Sequence, residues 1–252
     1  MNNNIISFAA HHAIIDIHYH HCFQIVVSIK NTFDCTIADK NYTNFKGFVI
    51  NQRHKHSCKA PDSSVLVFLI DAESNLGQNL KTLLKDKLFL NIEDVLSPQQ
   101  LESLLVTDEE RFDVDILAEK YTQLFSMFFP HQLQSFILDS RIEMAIEFID
   151  ANIHRKIELS EISEIAYLSS ERLRHLFVQE IGIPFSQYIL WKRIKKVIFE
   201  VLKKDIPFTD AAIQCGFSDD AHFSRTYRRM FGSSAKPMLK NSRYIQFLNP
   251  AL

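Results

Sequence analysis

Apolar residues recur along this chain with two different periods. From Ile5 to about Ile70 they come in short runs rich in β-branched and aromatic residues: Ile14–Ile17, Phe23–Ile29, Phe33–Ile37, Phe45–Ile50 and Val65–Ile70. Asn, Asp, Lys or Gly separate the runs, which is the pattern of strands. Several short strands at such spacing predict a small barrel or sandwich. From Asn75 the period turns helical. Leu76, Leu80, Leu83 and Leu84 share one face, as do Leu101, Leu104 and Leu105, with Ser97-Pro98 opening a helix. Phe112 to Phe129 is strongly apolar, through Val114, Ile116, Leu117, Tyr121, Leu124, Phe125, Phe128 and Phe129. A stripe that broad is expected both to pack on the barrel and to pair with a second chain.

Beyond the candidate linker at residues 131–138 the pattern is helical throughout. Asp139 caps a helix carrying Ile142, Ala145, Ile146, Ile149 and Ile153 on one face, and a short helix runs from Ser160 to Ala166. Ser169-Ser170-Glu171 starts another, which stops at Gly182. A long helix runs from Pro184 to Leu202, and a short one from Phe208 to Cys215. The last helix carries Phe223, Tyr227, Met230 and Phe231 on one face; Ser218 or Asp219 can cap it and Gly232 can end it.

These helices contain a repeat. At a shift of 50 residues Leu173 falls on Phe223, Phe177 on Tyr227, Ile181 on Phe231 and Gly182 on Gly232. Upstream, Ser163 and Ala166 match Ala212 and Cys215 at a shift of 49, so the second turn is one residue longer. Each copy is a short helix, a tight turn and a longer helix, hence a helix-turn-helix. The long helix between them can set both second helices towards successive major-groove segments, about 34 Å apart along a duplex.

Charge supports that division. Residues 1–138 hold 11 Lys and Arg against 16 Asp and Glu, whereas residues 168–243 hold 14 against 7. A mildly acidic half followed by a basic segment suits a sensing or pairing domain joined to one that binds a polyanion. The four cysteines show no CxxC spacing, which argues against structural zinc or a disulfide framework and fits a reducing cytoplasm. Neither a signal peptide nor an apolar membrane-spanning run is visible, so a soluble protein without a membrane partner is expected.

Seven of the eleven histidines lie in the first 56 residues: His11, His12, His18, His20, His21, His54 and His56. Strand alternation would put His18, His20 and Gln24 on one face, with His54 and His56 forming a second pair. Two such strands facing each other could hold a divalent metal, with His18, His20 and His56 as ligands, or an anionic small molecule. Cys22 and Cys58 beside these pairs admit soft-metal or redox sensing, although such residues are more often small apolar fillers.

Residues 139–240 resemble the DNA-binding domain of the AraC/XylS family of bacterial transcription regulators. The resemblance rests on Leu159-Ser160-Glu161-Ile162, Ser169 to Phe177, Gly182, Tyr188-Ile189 with Arg193, Gly216-Phe217-Ser218-Asp219, His222-Phe223-Ser224-Arg225 and Phe231-Gly232-Ser233-Ser234. The N-terminal part is similar to the cupin-type effector domain of that family, and the helices between to its dimerisation region. The chain departs from the pattern at His175, Ala235 and Leu239.

The resemblance implies an α+β multidomain chain. Its parts would be a cupin-like β-barrel at 1–74, a helical dimerisation region at 75–130, the linker at 131–138, and an all-α domain with two helix-turn-helix motifs at 139–252. It implies base reading by Glu171, Arg174 and His175 in the first copy and by Asp220, Ala221, Ser224 and Arg225 in the second. Ser169, Lys192, Lys195, Arg228 and Arg229 are the phosphate candidates, and Arg193 is expected in a structural ion pair. Double-stranded DNA, RNA polymerase and a second copy are the implied partners. No enzyme motif is present. A metal-dependent cupin enzyme fused to a DNA-binding domain, and an N-terminal half serving only dimerisation, remain as alternatives.

Overall fold

The computed structural model describes residues 4–105, 114–131, 133–204, 206–235 and 245–248. The chain forms two compact units, one of residues 1–134 with 230–252 and the other of residues 135–229.

The first unit is an antiparallel sheet curled into a nearly closed barrel. Its strands are β1 (Ile5–His18), β2 (Phe23–Ser28), β3 (Phe33–Ile37), β4 (Lys40–Phe45), β5 (Gly47–Ile50), β6 (His56–Ile70), β7 (Phe89–Asn91) and β8 (Ile245–Leu248). The order is β4-β3-β6-β2-β5-β7, with β1 on β6 and β8 on β1. β6 holds this together because its two halves pair differently. Residues 56–59 pair with β3, residues 65–70 pair with β2, and β1 runs along both halves. The β1–β6 ribbon turns its corner where the register shifts between His11 and Ala13, with His12 at φ 50°. There His12 alone stands opposite residues 61–63, so the surplus lies in β6; surplus residues bend a strand, and such bends let a sheet close on itself.

The sequence pattern finds these strands but understates them. β1 and β6 are 14 and 15 residues long, and half of each carries polar residues that mask strand alternation. Within the stretch expected to be helical, Phe89–Asn91 adds a strand to β5. At the far end of the chain, Ile245–Leu248 pairs with the start of β1, although the region was expected to belong to the DNA-binding domain.

Helices α1 (Asn75–Leu84), α2 (Pro98–Ser103) and α3 (Val114–Phe128) complete the unit. Ser97 caps α2 in a capping box with Gln100, and proline opens the helix as expected. Most of the α3 stripe is covered within the unit: Leu117, Tyr121, Leu124, Phe125 and Phe128 are buried, Ile116 and Phe129 half-buried, and Tyr121 and Phe125 meet Phe68 of β6. The packing on the barrel expected of this stripe is present, with Phe68 of β6 meeting it. Phe112 lies outside the described residues, as do Gln132 of the candidate linker and Leu239. Gln134, also in that segment, is held by Asn79 of α1 through paired main-chain bonds at 2.9 and 3.1 Å.

The second unit contains α4 (Ser140–Asn152), α5 (Leu159–Ile165), α6 (Ser170–Ile181), α7 (Phe185–Lys204), α8 (Phe208–Gln214) and most of α9 (Asp220–Phe231). Ile142, Ile149, Leu173, Phe177, Tyr188, Trp191 and Ile198 fill its core. Ring contacts of Phe177 with Tyr188 and of Phe223 with Phe208 and Phe217 tie the helices together.

Candidate nucleic-acid interface and barrel cavity

Both helix-turn-helix copies are built from the same local chemistry. In the first, Ser169 caps α6 by accepting from the Arg172 N–H, and Gly182 ends it in the left-handed region. In the second, Asp219 Oδ1 accepts from the His222 N–H at 2.6 Å, and Gly232 follows α9 at φ 65°. Leu173, Leu176, Phe177 and Ile181 of α6 are buried, as are Phe223, Tyr227, Met230 and Phe231 of α9. Small residues let the helices approach: Ser163 spends its hydroxyl on the Leu159 carbonyl, and Ala211 and Ala212 are fully buried.

That leaves the opposite faces outward. Glu171, Arg174 and His175 are exposed on α6, and Asp220, Ala221, Ser224, Arg225, Arg228 and Arg229 on α9. On α6 the three are linked, since Glu171 accepts from His175 Nε2 at 2.9 Å and from Arg174 at 3.4 Å. Pairs this exposed are held weakly and can exchange for base edges.

Three basic residues of α7 stand elsewhere than expected. Lys192 pairs with Asp150 at 3.0 Å and lies over the Tyr188 ring, with its side chain only 15% exposed. Lys195 is buried. Both stand where α7 packs against its neighbours, which leaves little of either side chain facing outward. Arg193 donates to the carbonyls of Ile153 and Arg155 at 3.1 and 2.6 Å, satisfying the end of α4 rather than joining an ion pair. Burial holds its pKa below the usual value.

The barrel encloses a cavity of about 290 Å³. Its wall is mostly apolar (Phe8, Val26, Phe48, Val67, Leu69, Ile245), and its polar end is His18, His20, Gln24 and His56. One ring nitrogen from each of the three histidines lies within 4.8 Å of the others. The sequence places these three together, but not by the route expected. β1 ends at His18, so His20 stands on the turn before β2, and His18 pairs with His56 on adjacent strands. His54 precedes β6 and is absent from the cavity wall; it contributes its carbonyl, which receives His56 Nδ1 at 2.9 Å.

Each ring has its Nδ1 on a main-chain carbonyl: His18 on Asp16 at 2.9 Å, His20 on Cys22 at 3.0 Å and His56 on His54. Nε2 of His20 and of His56 both meet Gln24 Oε1, at 2.7 and 2.5 Å. Burial is the main reason all three resist protonation. It pushes His18 down to about 3, helped by neighbouring His20, and holds His56 well below its usual value. Burial lowers His20 as well. Burial also pushes the Cys58 thiol up to about 12, which makes it an apolar filler with no thiolate for redox chemistry at neutral pH. The residues that sequence reasoning missed here are the apolar wall ones, above all Ile245, whose alternation with Phe247 was the available signal.

A family model described as a helix-turn-helix domain matches residues 162–241, from within α5 to beyond α9. That stretch is a helix-turn-helix domain. The chain is 25% identical over 235 residues to the probable transcriptional regulator LumQ of Photobacterium leiognathi, covering 86% of this chain and 89% of that one. It is 29% identical over 106 residues to an uncharacterised HTH-type transcriptional regulator of Staphylococcus aureus strain MSSA476, but spans only 14% of that protein. Among solved structures it shares the fold of ToxT from Vibrio cholerae O395, with a TM-score of 0.58 and 14% identity over 94% of this chain and 96% of that one. A ToxT structure from strain SCE256 with unsaturated fatty acid bound matches with a TM-score of 0.55 at 15% identity, over 93% and 94% of the two chains. No helix among the described residues is long and apolar enough to cross a membrane.

Proposed function

We propose that this AraC-type regulator reads an operator with α6 and α9, and that a small molecule or ion in the barrel cavity changes that binding. Glu171, Arg174 and His175, with Asp220, Ala221, Ser224 and Arg225, read bases; Ser169, Arg228 and Arg229 hold phosphates. The observation that carries the reading is the repeat itself: two helices with matching caps, buried faces and glycine stops, each turning a polar face outward. A helix bundle built only for packing has no need of that match. The cavity supports the effector half of the reading, being largely apolar with a polar end of three histidines and no Lys, Arg, Asp or Glu in its wall. ToxT, which shares the fold, has been seen with unsaturated fatty acid bound. The protein acts in the cytoplasm, catalyses no reaction, and works with RNA polymerase and a second copy. Footprinting on DNA flanking its own gene, with and without cavity ligands, tests the reading. A protected site holding two recognition segments about one helical turn apart is expected; binding to every duplex alike would refute it.

A further inference from the structure

We propose that His18, His20 and His56, with Gln24 as the fourth ligand, form a binding site for one divalent first-row transition-metal ion inside the barrel. This rests on reading the barrel as the ligand-binding half, and is independent of how α6 and α9 read DNA.

Proton counting leads there. A neutral imidazole has one N–H. His20 and His56 each face two acceptors, a main-chain carbonyl at Nδ1 and the Gln24 amide oxygen at Nε2. His18 has its Nδ1 on the carbonyl of Asp16. His20 and His56 thus each have one nitrogen lone pair set against an acceptor with no proton between them, in a buried setting where extra protons are costly. Turning the Gln24 amide over would offer N–H groups to those two rings and nothing to His18, the third ring of the cluster. A cation among the rings satisfies all of them and the amide oxygen too.

The second shell is that of a metal site. Carbonyl contacts at Nδ1 fix ring orientation and tautomer and turn Nε2 inward as the donor. Neutral imidazole and amide oxygen suit zinc, cobalt, nickel or copper rather than calcium or magnesium. Metal–nitrogen bonds of about 2.0–2.1 Å in a tetrahedron set the nitrogens about 3.4 Å apart. The present separations of up to 4.8 Å therefore close by about 1.4 Å at most, through ring rotation. The glutamine replaces the carboxylate that would lower the site's net charge, so a bound ion keeps its full double charge.

The test is Co²⁺ titration of the full-length chain after chelator treatment. One equivalent should bind, with the visible bands of a tetrahedral site, and Zn²⁺ should displace it. His20→Ala and His56→Ala should each weaken binding by at least about 100-fold. Gln24→Glu, which supplies a carboxylate, should tighten it by about 10-fold. The last variant also guards against misfolding of the alanine variants, because a cluster that only hydrogen-bonds would be destabilised by a buried carboxylate and gain no metal. No uptake by the parent chain, uptake unchanged in folded alanine variants, or no gain with Gln24→Glu would overturn the site. Loss of metal uptake with intact operator binding would refute the site alone. Failure to bind an operator in either metal state would refute the regulatory reading alone.

Discussion

The turns of the two helix-turn-helix copies impose the same backbone on different residues. In the first, Tyr167 sits at φ 53°, the Tyr167 N–H bonds the Glu164 carbonyl at 3.2 Å, and the Leu168 N–H bonds Ser163 at 2.9 Å. In the second, Gly216 sits at φ 85°, its N–H bonds Ile213 at 3.0 Å, and the Phe217 N–H bonds Ala212 at 3.0 Å. Both are left-handed helix stops with the carbonyls of the last turn satisfied. Tyrosine is tolerated in the first because the residue is 87% exposed. Glycine is required in the second, because an added Cβ would stand 2.6 Å from the Ile153 carbonyl oxygen and 2.9 Å from the Arg193 guanidinium. The same guanidinium closes the end of α4, so one close approach fixes the second turn, the arginine and the helix end together. Identical turn geometry does not mean identical tolerance; what lies beyond the Cβ decides.

The largest expected effect breaks this asymmetry directly. Gly216→Val should cost about 3 kcal/mol or more, from left-handed strain added to overpacking, and lower the denaturant midpoint of the unit. Tyr167→Gly should change stability by less than about 1 kcal/mol, since relief of strain and added chain entropy oppose each other. Equal costs at the two positions would mean the turns are not distinguished by packing.

The second prediction compares the recognition helices. Arg225→Ala should lose about 1–3 kcal/mol on the cognate operator and much less on random duplex. Arg174→Ala should lose less, because Arg174 must first leave Glu171. Competition binding with both duplexes measures this, and equal losses on the two sequences would remove Arg225 from base reading. Arg229→Ala should instead weaken both duplexes and reduce the salt slope by about one, which a titration from low to high salt reports.

Smaller effects separate the caps. Ser169→Ala should cost about 1 kcal/mol at any pH, seen as a fall in thermal midpoint. The Asp219 cap should depend on pH. The His222 N–H, then the Ser218 hydroxyl, hold its carboxyl below the usual value. Its folded pKa is therefore lower than its unfolded one of 3.8, so its contribution is present above that value and is lost as pH falls through the folded value. Hydrogen exchange of α9 amides should rise in acid relative to those of α6, and Asp219→Asn should abolish the difference.

How much of this was legible in residue order follows from how local each feature is. Helix caps at Ser97, Asp139, Ser169 and Asp219, the glycine stops and the buried faces of α6 and α9 depend on neighbours within a turn or two. Their spacing therefore states them directly. The fate of Lys192 and Lys195 was not legible, because the polar side of α7 is narrowed by partners distant in sequence. That the α3 stripe meets Phe68 of β6 was likewise not legible, since the partner lies about 50 residues away.

The histidines divide along the same line. The sequence by itself determined that His18, His20 and His56 are close to strands, that two helix-turn-helix copies exist, and which residues face outward from each. Only the tertiary structure decided that the three rings meet. Strand pairing brings His18 beside His56, a turn swings His20 between them, and His54 is left outside. The physical reason is range: caps and helix faces are set by bonds within a few residues, whereas ring convergence depends on the register of strands 38 positions apart, from His18 to His56.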